Sequence, residues 1–185
     1  QNLVKQAFLD RELKSYLDLS SANSINIARL IPQSFYYFNA YAKLNTDKKI
    51  AVSVPSGNFG NITAGILAKH MGLPITHFIA STNANKTVPE FISSNNYVSS
   101  KSIETISNAM DVGDPSNMKR IMDIYRKVEN LKKELSSWSF SDNETKDCIL
   151  NTIRKYNYLL DPHSAVGLLG LEEFLKDNPN FVGLF

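Results

Sequence analysis

The residues best suited to chemistry fall in one short run, Pro55-Ser56-Gly57-Asn58-Phe59-Gly60-Asn61. It stands between an apolar run that suits a buried strand, residues 50–54, and a helical pattern over residues 62–71. Gly57 and Gly60 let the backbone turn tightly and approach a ligand closely. Asn58 and Asn61 are polar and tolerate unusual backbone angles. A turn that opens a helix delivers several backbone N–H groups to an end carrying partial positive charge, which is the chemistry of a phosphate cradle. The dinucleotide spacing G-x-G-x-x-G is absent and no Walker lysine follows, so the group held would be a single phosphate, not a pyrophosphate or a nucleoside triphosphate. A glycine-containing βα turn with no ligand fits the same residues.

Other candidates are few. The lone Cys148 lies on a stripe that reads as core, which leaves no nucleophile beside a base. His163 follows Asp161-Pro162 at a helix start, and a direct role for it stays open. His70 and His77 read as structural. No group has metal-ligand spacing, so no metal is expected.

The elements around the run are strands alternating with helices. Before it, Ile27, Leu30, Ile31, Phe35, Phe38 and Tyr41 recur at helical spacing after a Ser24 that could cap the helix, with Pro32 predicting a kink or restart. After it, Gly72 and Pro74 end the helix, and residues 75–80 form a second strand. Thr87-Val88-Pro89-Glu90 and Ser141-Asp142-Asn143-Glu144 both have the form of a capping box. Residues 103–106 suit a strand. Asp114-Pro115 opens one long helix whose apolar stripe runs from Met118 through Ile121, Met122, Tyr125 and Val128 to Leu135. Asp161-Pro162 opens a last helix to Leu175, and residues 181–185 read as a final strand. The pattern predicts an α/β fold, a three-layer sandwich with a mainly parallel sheet. Three or four strands are few for a complete sheet.

The chain has 185 residues, 43% of them hydrophobic and 21% charged, which argues against disorder. Lys and Arg number 20 and Asp and Glu 18, a net charge of +2, so nothing in the charge balance draws the chain to nucleic acid or an anionic membrane. No apolar run approaches the ~20 residues of a membrane span. No secretory signal is visible, and a single cysteine fits a reducing, cytoplasmic setting. The sequence starts at Gln1 without Met and stops at Phe185 in an apolar run, so a piece of a longer chain is expected.

Val54-Pro55-Ser56-Gly57-Asn58-Phe59-Gly60-Asn61 resembles the pyridoxal-phosphate loop of the threonine synthase family. Four further stretches resemble that family in the expected order. They are Asn23-Ser24-Ile25-Asn26-Ile27-Ala28-Arg29 with Pro32-Gln33 and Tyr36-Tyr37-Phe38; Thr82-Asn83-Ala84-Asn85; Ser107-Asn108-Ala109-Met110-Asp111 with Ser116-Asn117; and Asp161-Pro162-His163-Ser164-Ala165-Val166-Gly167. Ile27 stands where Trp is usual, Lys86 where Asp is frequent, and Asn108 where Pro is common.

The resemblance implies a partial large domain of a fold-type-II pyridoxal-phosphate enzyme, a lyase of threonine biosynthesis. Its parent would convert O-phosphohomoserine and water to threonine and phosphate, using the cofactor as an electron sink. Gly57, Asn58, Phe59, Gly60 and Asn61 would bind the cofactor phosphate. Asn23, Ser24 and Arg29 would bind the substrate phosphate, as the planar fork of Arg and the neutral donors of Asn and Ser allow; Asn26 is in the same cluster without a settled role. Residues 1–45 would link to a small domain outside this sequence, and residues 46–185 would belong to the large one. The family's Schiff-base lysine would lie upstream, so no catalytic residue is expected here and the chain alone would be inactive. Apolar surface bared by truncation would favour self-association. A serine or threonine dehydratase of the same fold type, or a non-catalytic relative, remains the alternative.

Overall fold

The computed structural model describes residues 2–20, 24 and 26–185. The elements in order are α1 (Asn2–Leu9), α2 (Arg11–Tyr16), α3 (Ile27–Lys43), β1 (Lys49–Pro55), α4 (Gly60–His70), β2 (His77–Thr82), α5 (Thr87–Ser94), α6 (Met118–Tyr125), α7 (Val128–Glu134), β3 (Leu135–Ser139), α8 (Asp142–Tyr156), α9 (Pro162–Asp177) and β4 (Phe181–Leu184). A single 3₁₀ turn, Asn108–Met110, interrupts the long connection between α5 and α6.

The four strands form one sheet in the order β3-β2-β1-β4, and every pairing is parallel. β1 and β2 are buried on both faces, as strands covered by crossover helices must be. Their side chains alternate between two layers of helix. Ile50, Val52, Val54, Phe78 and Ala80 share a core with α3, α4, α5, α6 and α7. Ala51 and Ile79 pack on Leu171 and Phe174 of α9. α8 closes over α9 through Cys148 and Ala165, which completes three layers.

Local signals explain most elements. Ser141 caps α8 in a reciprocal box, its backbone N–H donating to Glu144 at 2.7 Å and its hydroxyl accepting from the Glu144 N–H. Asp161 caps α9, with Pro162 in the first turn where its missing N–H costs nothing. Gly72, at φ 107°, ends α4.

Several expectations need correction. The cap of α3 is Asn26, whose side chain accepts from the Ala28 N–H at 3.0 Å, not Ser24. α3 runs through Pro32 without restarting, supported where the Gln33 side chain donates to the Arg29 carbonyl at 2.8 Å. Its buried face is Leu30, Ser34 and Tyr37, whereas Ile27, Ile31, Phe35, Phe38 and Tyr41 are exposed. β2 begins at His77, two residues later than expected. Thr87 does not cap α5, because its hydroxyl donates to the Gly113 carbonyl at 2.8 Å. Residues 103–106 are not a strand; Asn85 and Asp111 take the N–H groups of Ile103 and Thr105 instead. The expected long helix is two helices, broken at Arg126 with φ 64°, and it gives way at Leu135 to β3. On α8, Cys148 and Thr152 are buried and Ile153 and Tyr156 are exposed.

Candidate functional site

The loop between β1 and α4 lies at the carboxyl end of the parallel sheet, where α/β folds place ligand sites. Its start is pinned to β2 by the Ser56 N–H, which donates to the Ser81 carbonyl at 2.8 Å. Phe59 then takes the left-handed conformation at φ 60° and buries its ring, so the chain turns sharply into the helix. No side chain caps α4. Its first N–H groups lack intrahelical partners, as at any helix start, and carry the positive end of the dipole.

The polar side chains of the loop fix it from behind. The Asn58 side-chain oxygen accepts from the N–H and hydroxyl of Ser116, each at 3.3 Å. Asn61 donates to the Gln33 side chain at 3.2 Å and accepts from the Tyr37 hydroxyl at 2.6 Å. Gly57 packs so closely on the 3₁₀ turn that a Cβ there would lie 2.9 Å from the Met110 Cα. The backbone N–H groups are thereby left as the ligand-facing chemistry.

These elements enclose a cleft of about 210 Å³. Ser24, Arg29 and Gln33 line one wall, and residues 54–62 line the other. The structure thus brings Gly57, Asn58, Phe59, Gly60 and Asn61 together with Ser24 and Arg29 around one space. Asn23 lies outside the described residues. Asn26 is spent on capping α3. A neighbouring groove of about 270 Å³ shares Val54, Pro55 and Asn61 but is lined mainly by apolar residues such as Tyr41, Leu44, Ile50 and Val52, which offer an anion little.

An uncapped helix start, a guanidinium and hydroxyl across from it, and a space of this size suit a small phosphorylated compound. The phosphate arm of pyridoxal phosphate fits that donor set. Among the residues lining the cleft there is no lysine. Lys69, at the far end of α4, is ion-paired to Glu134 at 2.9 Å.

The remaining candidates take structural places. His163 Nε2 accepts from the Ala109 N–H at 3.3 Å, which puts the ring proton on Nδ1, 3.0 Å from the Asp161 carboxylate. The ring is a strut between α9 and the turn that packs on Gly57. The Ser164 hydroxyl, with backbone N–H groups and His163, holds the Asp161 carboxyl down at about 2. Burial pushes the Cys148 thiol up, away from thiolate chemistry. His77 stacks on Phe174 with ring centroids 4.7 Å apart, at the opposite end of the sheet from the cleft. Sequence reasoning missed Gln33, Tyr37 and Asn117 as parts of the site, since their roles come from contacts far along the chain.

No protein-family model matches the chain. The threonine synthase of Haemophilus influenzae is 48% identical over 178 residues, covering 95% of this chain and 42% of that protein. That of Escherichia coli is 46% identical over 187 residues, covering all of this chain and 43% of the relative. The chain is homologous to threonine synthases. It spans less than half the length of the relatives it matches. The crystal structure of threonine synthase from Escherichia coli superposes with a TM-score of 0.92, covering all of this chain and 43% of that one. The pyridoxal-phosphate-bound threonine synthase from Brucella melitensis gives 0.87 at 35% identity, covering all of this chain and 45% of that one. Serine racemase from Dictyostelium discoideum, at 16% identity and a TM-score of 0.62, shares the fold. The partial fold-type-II architecture therefore agrees with the threonine synthase resemblance read from the sequence, and the dehydratase-like neighbours are more distant.

Proposed function

We propose that this chain is part of a threonine synthase that converts O-phosphohomoserine and water to threonine and phosphate. The observation that carries the reading is the cleft in which the uncapped start of α4 faces Ser24 and Arg29. Backbone N–H groups of residues 57–61 hold the phosphate of pyridoxal 5'-phosphate. When bound, that cofactor supplies an electron sink for carbanionic charge on an amino acid. Arg29, Ser24 and Asn23 hold the substrate phosphate and orient it for departure. Arg29 presents a fork matched to two phosphate oxygens, and Ser24 adds a neutral donor.

In this reading residues 1–45 link to the remainder of the enzyme and residues 46–185 are part of its large domain, in the cytoplasm. The exposed apolar stripe of α3, from Ile27 to Phe38, favours self-association of the isolated chain. On this reading the 185-residue chain alone is inactive.

The test is phosphate and threonine release from O-phosphohomoserine by the native full-length polypeptide with pyridoxal phosphate. Turnover supports the assignment. Release of a 2-oxo acid from serine or threonine, with no turnover of the phosphorylated substrate, would replace it with a dehydratase. For the isolated chain, sustained turnover, or a cofactor fixed to one lysine by borohydride, would overturn its inactivity.

A further inference from the structure

Asn117 stands at the N-cap position of α6, where an asparagine ordinarily accepts from its own helix. Here the side chain makes no such cap. It is buried, with 1% of its surface exposed. Its amide nitrogen donates to the Asn58 carbonyl at 2.9 Å and to the Ser24 carbonyl at 3.3 Å. Its oxygen accepts from Arg120 Nη1 at 2.6 Å. Arginine has only donors and the two carbonyls only accept, so this is the one orientation of the amide that satisfies every partner. One buried group therefore joins the cofactor loop at Asn58 to the opposite wall at Ser24, with Arg120 fixing which way it faces. Neighbouring Ser116 grips the same Asn58 through its side-chain oxygen.

We propose that Asn117 is a positioning residue that sets the distance between the cofactor-phosphate loop and the substrate-phosphate wall, so that the two phosphate sites are held as a pair. It touches neither phosphate; it acts through Asn58 and Ser24. The inference rests on the functional reading above for what the two walls bind.

Asn117→Asp keeps the size and the acceptor for Arg120 but, as a carboxylate, can donate to neither carbonyl. In the native full-length polypeptide, the dissociation constant for pyridoxal phosphate and KM for O-phosphohomoserine should both rise at least fivefold, with kcat at saturation within threefold of wild type. Amide hydrogen exchange should quicken together in residues 26–29 and 57–61 and stay unchanged in residues 50–54. Arg120→Met, which frees the amide to flip, should give the same pattern at smaller size, and it decides the matter if Asn117→Asp does not fold. A lowered Tm with both constants unchanged, or a fall in kcat alone, would overturn the proposal. If the wild-type polypeptide does not turn over the substrate, the functional reading fails, and coupled exchange with weakened cofactor binding still decides the role of Asn117.

Discussion

The hydroxyl of Tyr37, in the middle of α3, donates to the side-chain oxygen of Asn61 at 2.6 Å and reaches the Asn61 carbonyl at 3.0 Å. Burial pushes that hydroxyl far above the usual tyrosine range, so it stays protonated and serves as a donor at any ordinary pH. The wall carrying Arg29 is thus fastened to the first turn of α4 by a neutral, half-buried bond. Tyr37→Phe should lower stability by about 1 kcal/mol, the cost of a half-buried acceptor losing its partner. Denaturant unfolding measures it; a change below about 0.3 kcal/mol would show that the bond does not hold the wall.

Two glycines should respond oppositely. A Cβ on Gly57 would press on the backbone of residues 109 and 110, which cannot give way like a side-chain tip, so Gly57→Ala should displace the loop. Pyridoxal phosphate binding by the full-length polypeptide should weaken tenfold or more. Gly72 has no atom near that position but sits at φ 107°, so Gly72→Ala should cost about 1 kcal/mol of stability and leave cofactor affinity unchanged. Equal effects on affinity would argue that the loop does not hold the cofactor.

Arg29 is exposed on the wall opposite the loop. Arg29→Ala should raise KM for O-phosphohomoserine by roughly 10- to 100-fold, as expected when a charge-assisted phosphate contact is lost. Cofactor affinity should stay within twofold. Equal loss of both would count against separate phosphate sites.

His77 should make stability depend on pH. Burial, aided by the nearby Lys69 charge, lowers its pKa from the usual 6.5 to about 4. Between those values the unfolded chain binds a proton that the folded chain refuses. The histidine's contribution is therefore complete above pH 6.5 and lost as pH falls toward 4, with a slope of up to about 1.4 kcal/mol per pH unit. His77→Gln should flatten that limb in urea unfolding across the same window; an unchanged slope would assign it to other groups.

The sequence was most legible where a signal is local. The turn after β1, the box at Ser141 and the Asp161-Pro162 start each declare themselves within a few residues; the two caps stand where expected, and α4 begins at Gly60, two residues earlier than its pattern suggests. The errors arose where distant partners decide. Leu135 continues the apolar rhythm of α7, yet Ser136, Ser137 and Trp138 pair with β2, which no periodicity of their own announces. The stripe from Met118 to Leu135 hides a break, because Arg126 at φ 64° turns the chain without disturbing the spacing of apolar residues. Thr87 has the composition of a cap, but the Gly113 carbonyl claims its hydroxyl. Within the site, Asn117 was visible only as part of a matching segment, since its role depends on Ser24 and Asn58 lying far apart in sequence.

The sheet order places β1 between β2 and β4, with Lys49 beside Phe181. The two strands are about 130 residues apart, so during synthesis at roughly 5–20 residues per second one flank of β1 waits on the order of ten seconds for its neighbour. Through that interval the β4 side of β1 stays unpaired, while α3 to α7, all made before β4, can already cover Ile50, Val52 and Val54. On the ribosome, the cleft's first wall is therefore complete well before the strand that closes the sheet beside it.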